Sequence, residues 1–334
     1  MRSAPAGLVA ALGATVVGAA PVLAHGAGPD GPPTTGTLLS AWSFEPAVVL
    51  GLLAAAVAWA ALVRRIDRGH PATPVPRRRS VAFIAGLAAI AVALLSGIEA
   101  YDTALFSVHM VQHLLLTLVA APLLALGAPI TTLLRAATPN VRRMILLPIL
   151  HSRVLRVVSF PVITWTVFAA VMWGSHFSPL FDASLEDPLV HDLEHAMYLG
   201  AGLLFWWPAV GLDPSPWRMA YPVRMMYVFL QMPQNTFLAV TILGTAIPLY
   251  AHYASLGRTW GPTPLEDQQI AGGLMWLGGD LLFLAALAAI LAGWMRHEQR
   301  GAAAGDRRDD RERAVIRERE ARLAERVAGG REGP

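Results

Sequence analysis

The sequence predicts an all-α fold: a polytopic membrane helix bundle with seven transmembrane helices, its N-terminus outside and its C-terminus cytoplasmic. Three observations carry that expectation. Of 334 residues, 55% are hydrophobic and 15% charged, and the apolar residues gather into runs of span length instead of spreading along one face of each element. Every basic residue other than histidine is arginine, and the arginines are rich in every second loop, as the positive-inside rule requires of a multi-pass chain. There are no cysteines, which removes disulfides, thiolate metal sites, iron–sulfur clusters and cysteine nucleophiles from consideration.

Residues 1–24 read as an export signal, with Arg2 as the positive end, an apolar stretch behind it and Val22-Leu23-Ala24 as a small-residue cleavage pattern. Cleavage leaves His25 first in an extracytoplasmic leader, 25–45, rich in glycine and proline; an uncleaved anchor is the alternative. The membrane domain, 46–296, holds apolar runs near 46–63, 81–98, 107–126, 156–174, 190–210, 225–248 and 271–294, each close to the roughly 20 residues a helix needs to cross hydrocarbon. Helices are the natural form for them, because lipid offers backbone groups no partners.

Orientation follows from the loops. Arg64, Arg65, Arg68, Arg77, Arg78 and Arg79, then Arg135, Arg142, Arg143 and Arg153, then Arg218 and Arg224, mark one side as cytoplasmic. The alternate loops are acidic, with Glu99 and Asp102, then Asp182, Glu186 and Asp187, then Glu266 and Asp267. The segment MILLPIL, 144–150, is too short to span and reads as interfacial. Residues 297–334 form a charged cytoplasmic tail of alternating acids and bases, a solvated helix with sparse apolar positions at Val315, Ile316, Leu323 and Val327. The net charge of +3 does not point to nucleic acid, since much of the arginine lies among the acids of this tail; the surrounding partner is the lipid bilayer.

On that topology, His25, His109, His113, His176, His191, His195 and His252 fall on the outer side, and only His70, His151 and His297 do not. FSVHMVQH places His109 and His113 four residues apart, and DPLVHDLEH places Asp187, His191 and His195 at the same interval, so each set shares a helix face. Ionisable groups in a membrane are costly unless they pair, ligate or face a wet cavity. Several in one layer therefore suggest a shared, outer-facing histidine site. Imidazole suits copper, zinc, iron and nickel, and a thioether such as that of Met110 shifts the preference toward Cu(I) over Cu(II). The expected metal ligands are His109, His113, His176, His191, His195 and Met110, with His25 as a more distant candidate. Asp187, Asp192 and Glu194 are expected to receive the far imidazole protons and fix ring orientation, with His252, Asp267, Met275 and Asp280 in support. Haem ligated by the HxxxH pairs is the competing cofactor. A metal hydrolase is disfavoured, because HExxH and GxSxG are absent.

The ordered segments HMVQHLLLTLVAAPLLALGAPI, HFSPLFDASLEDPLVHDLEHAMYLGAGLLFWWPAVG, YPVRMMYVFLQMP, LYAHYASLGRTWG and LEDQQIAGGLMWLGGD together resemble the CtaG family of caa3-type cytochrome c oxidase assembly factors, over about residues 38–296. The resemblance implies a bacterial plasma membrane protein with seven spans that helps assemble a haem–copper oxidase and is thought to help supply copper to its CuB centre. The family motifs fall on His109 and His113, on His176, on His191 and His195, and on Asp267, Gln268 and Met275-Trp276. The expected activity is that of a non-enzymatic assembly factor or metallochaperone, whose partners are the oxidase subunit carrying CuB and an extracytoplasmic copper donor. A metal-free assembly scaffold and a haem- or copper-containing membrane redox protein are the alternatives.

Overall fold

The computed structural model describes residues 31–329; the expected signal segment and His25 lie outside them. The described residues are helical and divide into two units, one reaching to Leu284 and one from Ala285 onward. In the first unit, α1 (Thr35–Ser40), α2 (Pro46–Gly69), α3 (Arg77–Leu95) and α4 (Gly97–Tyr101) lead to α5 (Phe106–Leu114), which continues through a π-helical segment (Leu115–Ala120) into α6 (Ala121–Gly127). Next come α7 (Pro129–Ala136), α8 (Pro139–Val141), a π segment (Arg142–Leu146), α9 (Leu147–Leu150) and α10 (Arg153–Val158). The stretch 144–150 is therefore helical and too short to span. The chain goes on as α11 (Pro161–His176), α12 (Leu180–Glu186), α13 (Pro188–Val210), α14 (Tyr221–Phe229), α15 (Gln231–Leu243), α16 (Ala251–Ser255) and α17 (Pro264–Gly273). A last π segment (Leu274–Gly278) runs into α18 (Gly279–Gly329). Proline opens α2, α7, α11, α13 and α17, where its missing N–H has no helical partner to lose and its fixed φ suits the first turn.

Four helical stretches are long and apolar enough to cross a membrane: Pro46–Gly69, Arg77–Tyr101, Phe106–Ala136 and Pro264–Ala302. Mean hydropathy over the first reaches 2.3, yet only 6% of its apolar window is buried, so Leu50, Leu53 and Val57 point away from the protein. A surface of that kind needs lipid. The chain is a multi-pass membrane protein, but the count returned by length and apolarity is four, against the seven expected. The other three runs fall short for separate reasons. Helix α11 has 16 residues. Helix α13 has 23 residues but carries His191, Asp192, Glu194 and His195 in its first half, which lowers its apolarity. The run at 225–248 is interrupted at Leu230, between α14 and α15, three residues before Pro233, whose ring opposes helix continuity.

The rod formed by α5, its π segment and α6 lies at the centre. It packs on α3 at one flank and α13 at the other, with α17 against α5. Leu87, Ile90 and Ala93 of α3 meet Leu116, Ala120 and Leu124 in the apolar seam. The π segment frees backbone carbonyls from the regular ladder, and the Thr117 carbonyl takes the indole N–H of Trp206 at 2.8 Å. Gly202 makes that contact possible: a Cβ there would lie 3.0 Å from Ala121 Cβ and 3.2 Å from the Thr117 backbone. In the second unit, Val315 and Ile316 are about half exposed among charged residues, as a solvated helix would have them.

A buried cluster of histidines and acids

Three helices converge on one polar centre. His109 and His113 occupy successive turns of α5, His191 and His195 successive turns of α13, and Asp102 follows α4. The side chains form two groups. In one, the His109 and His113 Nε2 atoms stand 3.7 and 3.9 Å from Glu194 Oε2; in the other, His191 Nε2 stands 3.1 Å from Asp102 Oδ2, with His195 beside them. Within each group, one ligand atom per residue lies within 4.8 Å of the others, and all six residues are buried. The groups adjoin, the His109 and His191 rings lying parallel at 5.6 Å between centroids.

These elements are tied in place by polar contacts. Asp267 accepts from Phe106 N at 2.6 Å and from Ser107 Oγ at 2.5 Å, capping α5 from another helix and setting the height of His109. The Tyr253 hydroxyl donates to the Asp102 carbonyl at 2.7 Å, and the Tyr250 hydroxyl to the His176 carbonyl at 3.2 Å. Burial pushes both phenols well above the ordinary tyrosine range, so they stay protonated donors. The His113 ring stacks on Tyr198 at 3.8 Å, which leaves its edge for contacts in the ring plane.

Buried polar atoms are nearly always hydrogen-bonded, because an orphan costs about 1–3 kcal/mol. Yet both ring nitrogens of His109 and both of His113 have no hydrogen-bond partner among the described residues. One nitrogen from each ring, the Nε2 atoms nearest the buried Glu194 carboxylate, gives with it a donor set that could hold a metal ion. A cavity of about 20 Å³ borders His113, His176 and Tyr198, room for one water or ion. Haem does not fit there, since cofactor sites occupy roughly 300–1,000 Å³.

The expected outer-facing pocket is corrected: His109, His191 and His195 are 0, 1 and 5% exposed, so the cluster is enclosed. Of the expected ligands, four histidines meet in the two groups, while His176 and Met110 border the adjacent cavity. Glu194, expected to support, stands among the groups that could hold a metal ion, with His109 and His113. Asp187 caps α13 through Leu189 N and Val190 N, and Asp192 is exposed. His252 Nε2 meets the Thr103 carbonyl at 2.9 Å, and Asp280 accepts from Thr236 Oγ1 at 2.9 Å. Gln268 ties α17 to the end of α15 through Ile242 O and Thr245 Oγ1. Sequence reasoning missed Asp102, and also Glu99, which accepts from Gln112 Nε2 at 2.5 Å. The spacing of the two acids in EAYD, just ahead of the histidine helix, was the available signal.

The family model described as cytochrome c oxidase caa3 assembly factor (Caa3_CtaG) matches residues 56–297. The uncharacterized protein Mb0105 of Mycobacterium bovis is 32% identical over 286 residues, 84% of this chain and 43% of its own length. The uncharacterized protein ML1998 of Mycobacterium leprae is 29% identical over 287 residues, with the same coverage. The chain thus spans less than half the length of the curated relatives it matches. With these bacterial relatives, the apolar helices describe a bacterial multi-pass membrane protein. No solved structure matches.

Proposed function

The chain belongs to the caa3-type cytochrome c oxidase assembly factors, the CtaG family, and we propose that it takes up copper at the buried imidazole and carboxylate groups and hands it to the CuB centre of a haem–copper oxidase subunit docked beside it. The observation that carries this reading is the pair of buried Nε2 atoms of His109 and His113, which have no hydrogen-bond partner among the described residues and stand 3.7 and 3.9 Å from Glu194 Oε2. Two histidines and one acid leave coordination positions open, as release to a partner requires. His109, His113 and Glu194 hold one ion; Asp102, His191 and His195 hold the second or serve as its way in. A copper donor outside the membrane supplies the ion, and the protein acts as a metallochaperone and not as an enzyme. In the plasma membrane, α11, α13 and the α14–α15 pair complete seven crossings: the 23 residues of α13 reach about 35 Å at 1.5 Å per residue. The arginine-rich loops and the 297–334 tail then lie in the cytoplasm, and residues 1–24 act in export.

The test is copper analysis of full-length protein purified without a histidine tag, paired with spectroscopy of the oxidase from the same cells. Stoichiometric copper that is lost in His109→Ala and His191→Ala, with oxidase that keeps its haems but lacks CuB, supports the reading. Copper binding that survives replacement of both HxxxH pairs, or CuB that fills normally in those variants, overturns it in favour of a metal-free scaffold.

A further inference from the structure

The cavity beside the histidine–glutamate group has a chemistry of its own. Met110 of α5, Met172 of α11 and Met275 of the last π segment all line it, together with His113 and His176. The three thioethers come from three separate helical stretches, and their residues are 1, 7 and 3% exposed. A methionine alone is ordinary gap filler, but three of the residues that line this space of about 20 Å³, room for a single ion, carry soft, uncharged thioethers. His176 adds a further observation. Its Nδ1 lies 2.7 Å from the Met172 carbonyl, a contact that requires Nδ1 to carry the proton and so leaves Nε2 as a bare lone pair. That Nε2 is buried without a hydrogen-bond partner among the described residues. A protonated Nδ1 held by a backbone carbonyl is also the arrangement that orients a metal-binding imidazole.

We propose that this cavity is a second metal site, selective for a soft monovalent d10 cation, in which Met110, Met172, Met275 and His176 Nε2 are the donors. His113 borders both this cavity and the group with Glu194, so it is the residue through which an ion passes from one to the other. The ion keeps its oxidation state, and the step is ligand exchange alone. Thioether donors hold cuprous ion and discriminate against zinc and divalent copper, whereas the carboxylate-bearing groups accept divalent ions. The cavity therefore acts as a selectivity filter behind a less selective entrance. This inference rests on the copper-handling reading only for its physiological cargo.

The probe is silver(I), which is soft, d10 and redox-inert, titrated into full-length protein in detergent in competition with a soluble chelator and followed by silver K-edge absorption. Sulfur neighbours around bound silver are expected. Met172→Leu and Met275→Leu, which conserve side-chain volume, are expected to weaken silver by at least about 10- to 100-fold while leaving zinc affinity and the thermal midpoint unchanged. A shell of nitrogen and oxygen only, or silver affinity untouched by both leucine variants, overturns the proposal. Silver on sulfur together with normal CuB filling in His109→Ala keeps the soft site and removes the delivery reading. Copper on nitrogen and oxygen alone, with CuB lost in His109→Ala, does the reverse.

Discussion

The Asp267 carboxylate of α17 accepts the backbone N–H of Phe106 at 2.6 Å, so the first turn of α5 is capped by a residue 161 positions away. Ser107 adds its hydroxyl at 2.5 Å. The sequence suggested a polar motif near a metal site, whereas the contact is a clamp that fixes where α5 begins, and hence the height of His109 and His113. Asp267→Ala strands buried donors and is expected to lower stability by about 1–3 kcal/mol, measured as a fall in thermal midpoint in detergent. Asp267→Asn retains one acceptor and is expected to lose less. Equal losses in the two variants would show that the clamp is not made by its oxygens.

A second tie joins α13 to the π segment, where the Trp206 indole donates to the Thr117 carbonyl at 2.8 Å. Trp206→Phe keeps an aromatic ring in the site but leaves a carbonyl orphaned, and is expected to cost about 1–3 kcal/mol. Gly202→Val places carbon where Ala121 and the Thr117 backbone already sit; overpacking of this kind costs about 1–3 kcal/mol. Because Gly202 sets the approach of α13 to the π segment and α6 that continue α5, the valine variant is also expected to weaken metal binding, which separates it from Trp206→Phe.

How far the sequence reaches can be judged residue by residue. His109 with His113 and His191 with His195 were legible because a four-residue interval holds in any helix, whatever its neighbours. Length and apolarity return four spans where the contiguous runs suggested seven, because a run of apolar residues says nothing of a break near Pro233 or of a helix as short as α11. Enclosure of the site was illegible, since it arises from Phe106 packing edge to face on Phe181 and Tyr250, which stack on each other, with Phe181 against His109. Asp102 and Glu99 read as loop acids because their relation to α13 is purely tertiary. Met172 and Met275 looked like filler individually; only the fold brings them to one cavity.

The turn between α6 and α7 carries local strain at Ala128, whose φ is 55°. Left-handed backbone costs an alanine about 1–2 kcal/mol, and glycine relieves it at the expense of a freer unfolded chain. Ala128→Gly is therefore expected to raise stability by about 0.5–1 kcal/mol. Ala128→Val, β-branched at a site with no exposure, is expected to lower it. Chemical denaturation in detergent reads both signs.

The chemistry of the centre is tested most directly at Glu194. Its Oε2 is the common neighbour of His109 and His113, and Ser184, which donates to the Phe181 carbonyl at 2.8 Å, is buried nearby. Glu194→Gln preserves size while removing the negative charge, so a divalent ion held there loses its only anionic ligand in that group. Zinc or cupric affinity is expected to fall by at least about 10–100-fold, with little change in thermal midpoint. Asp192→Asn, two residues earlier and exposed, removes the same formal charge from the same helix and is expected to leave affinity intact. Isothermal titration of both variants decides between a ligand and a general field: matching losses would mean that helix charge, and not coordination by Glu194, governs binding.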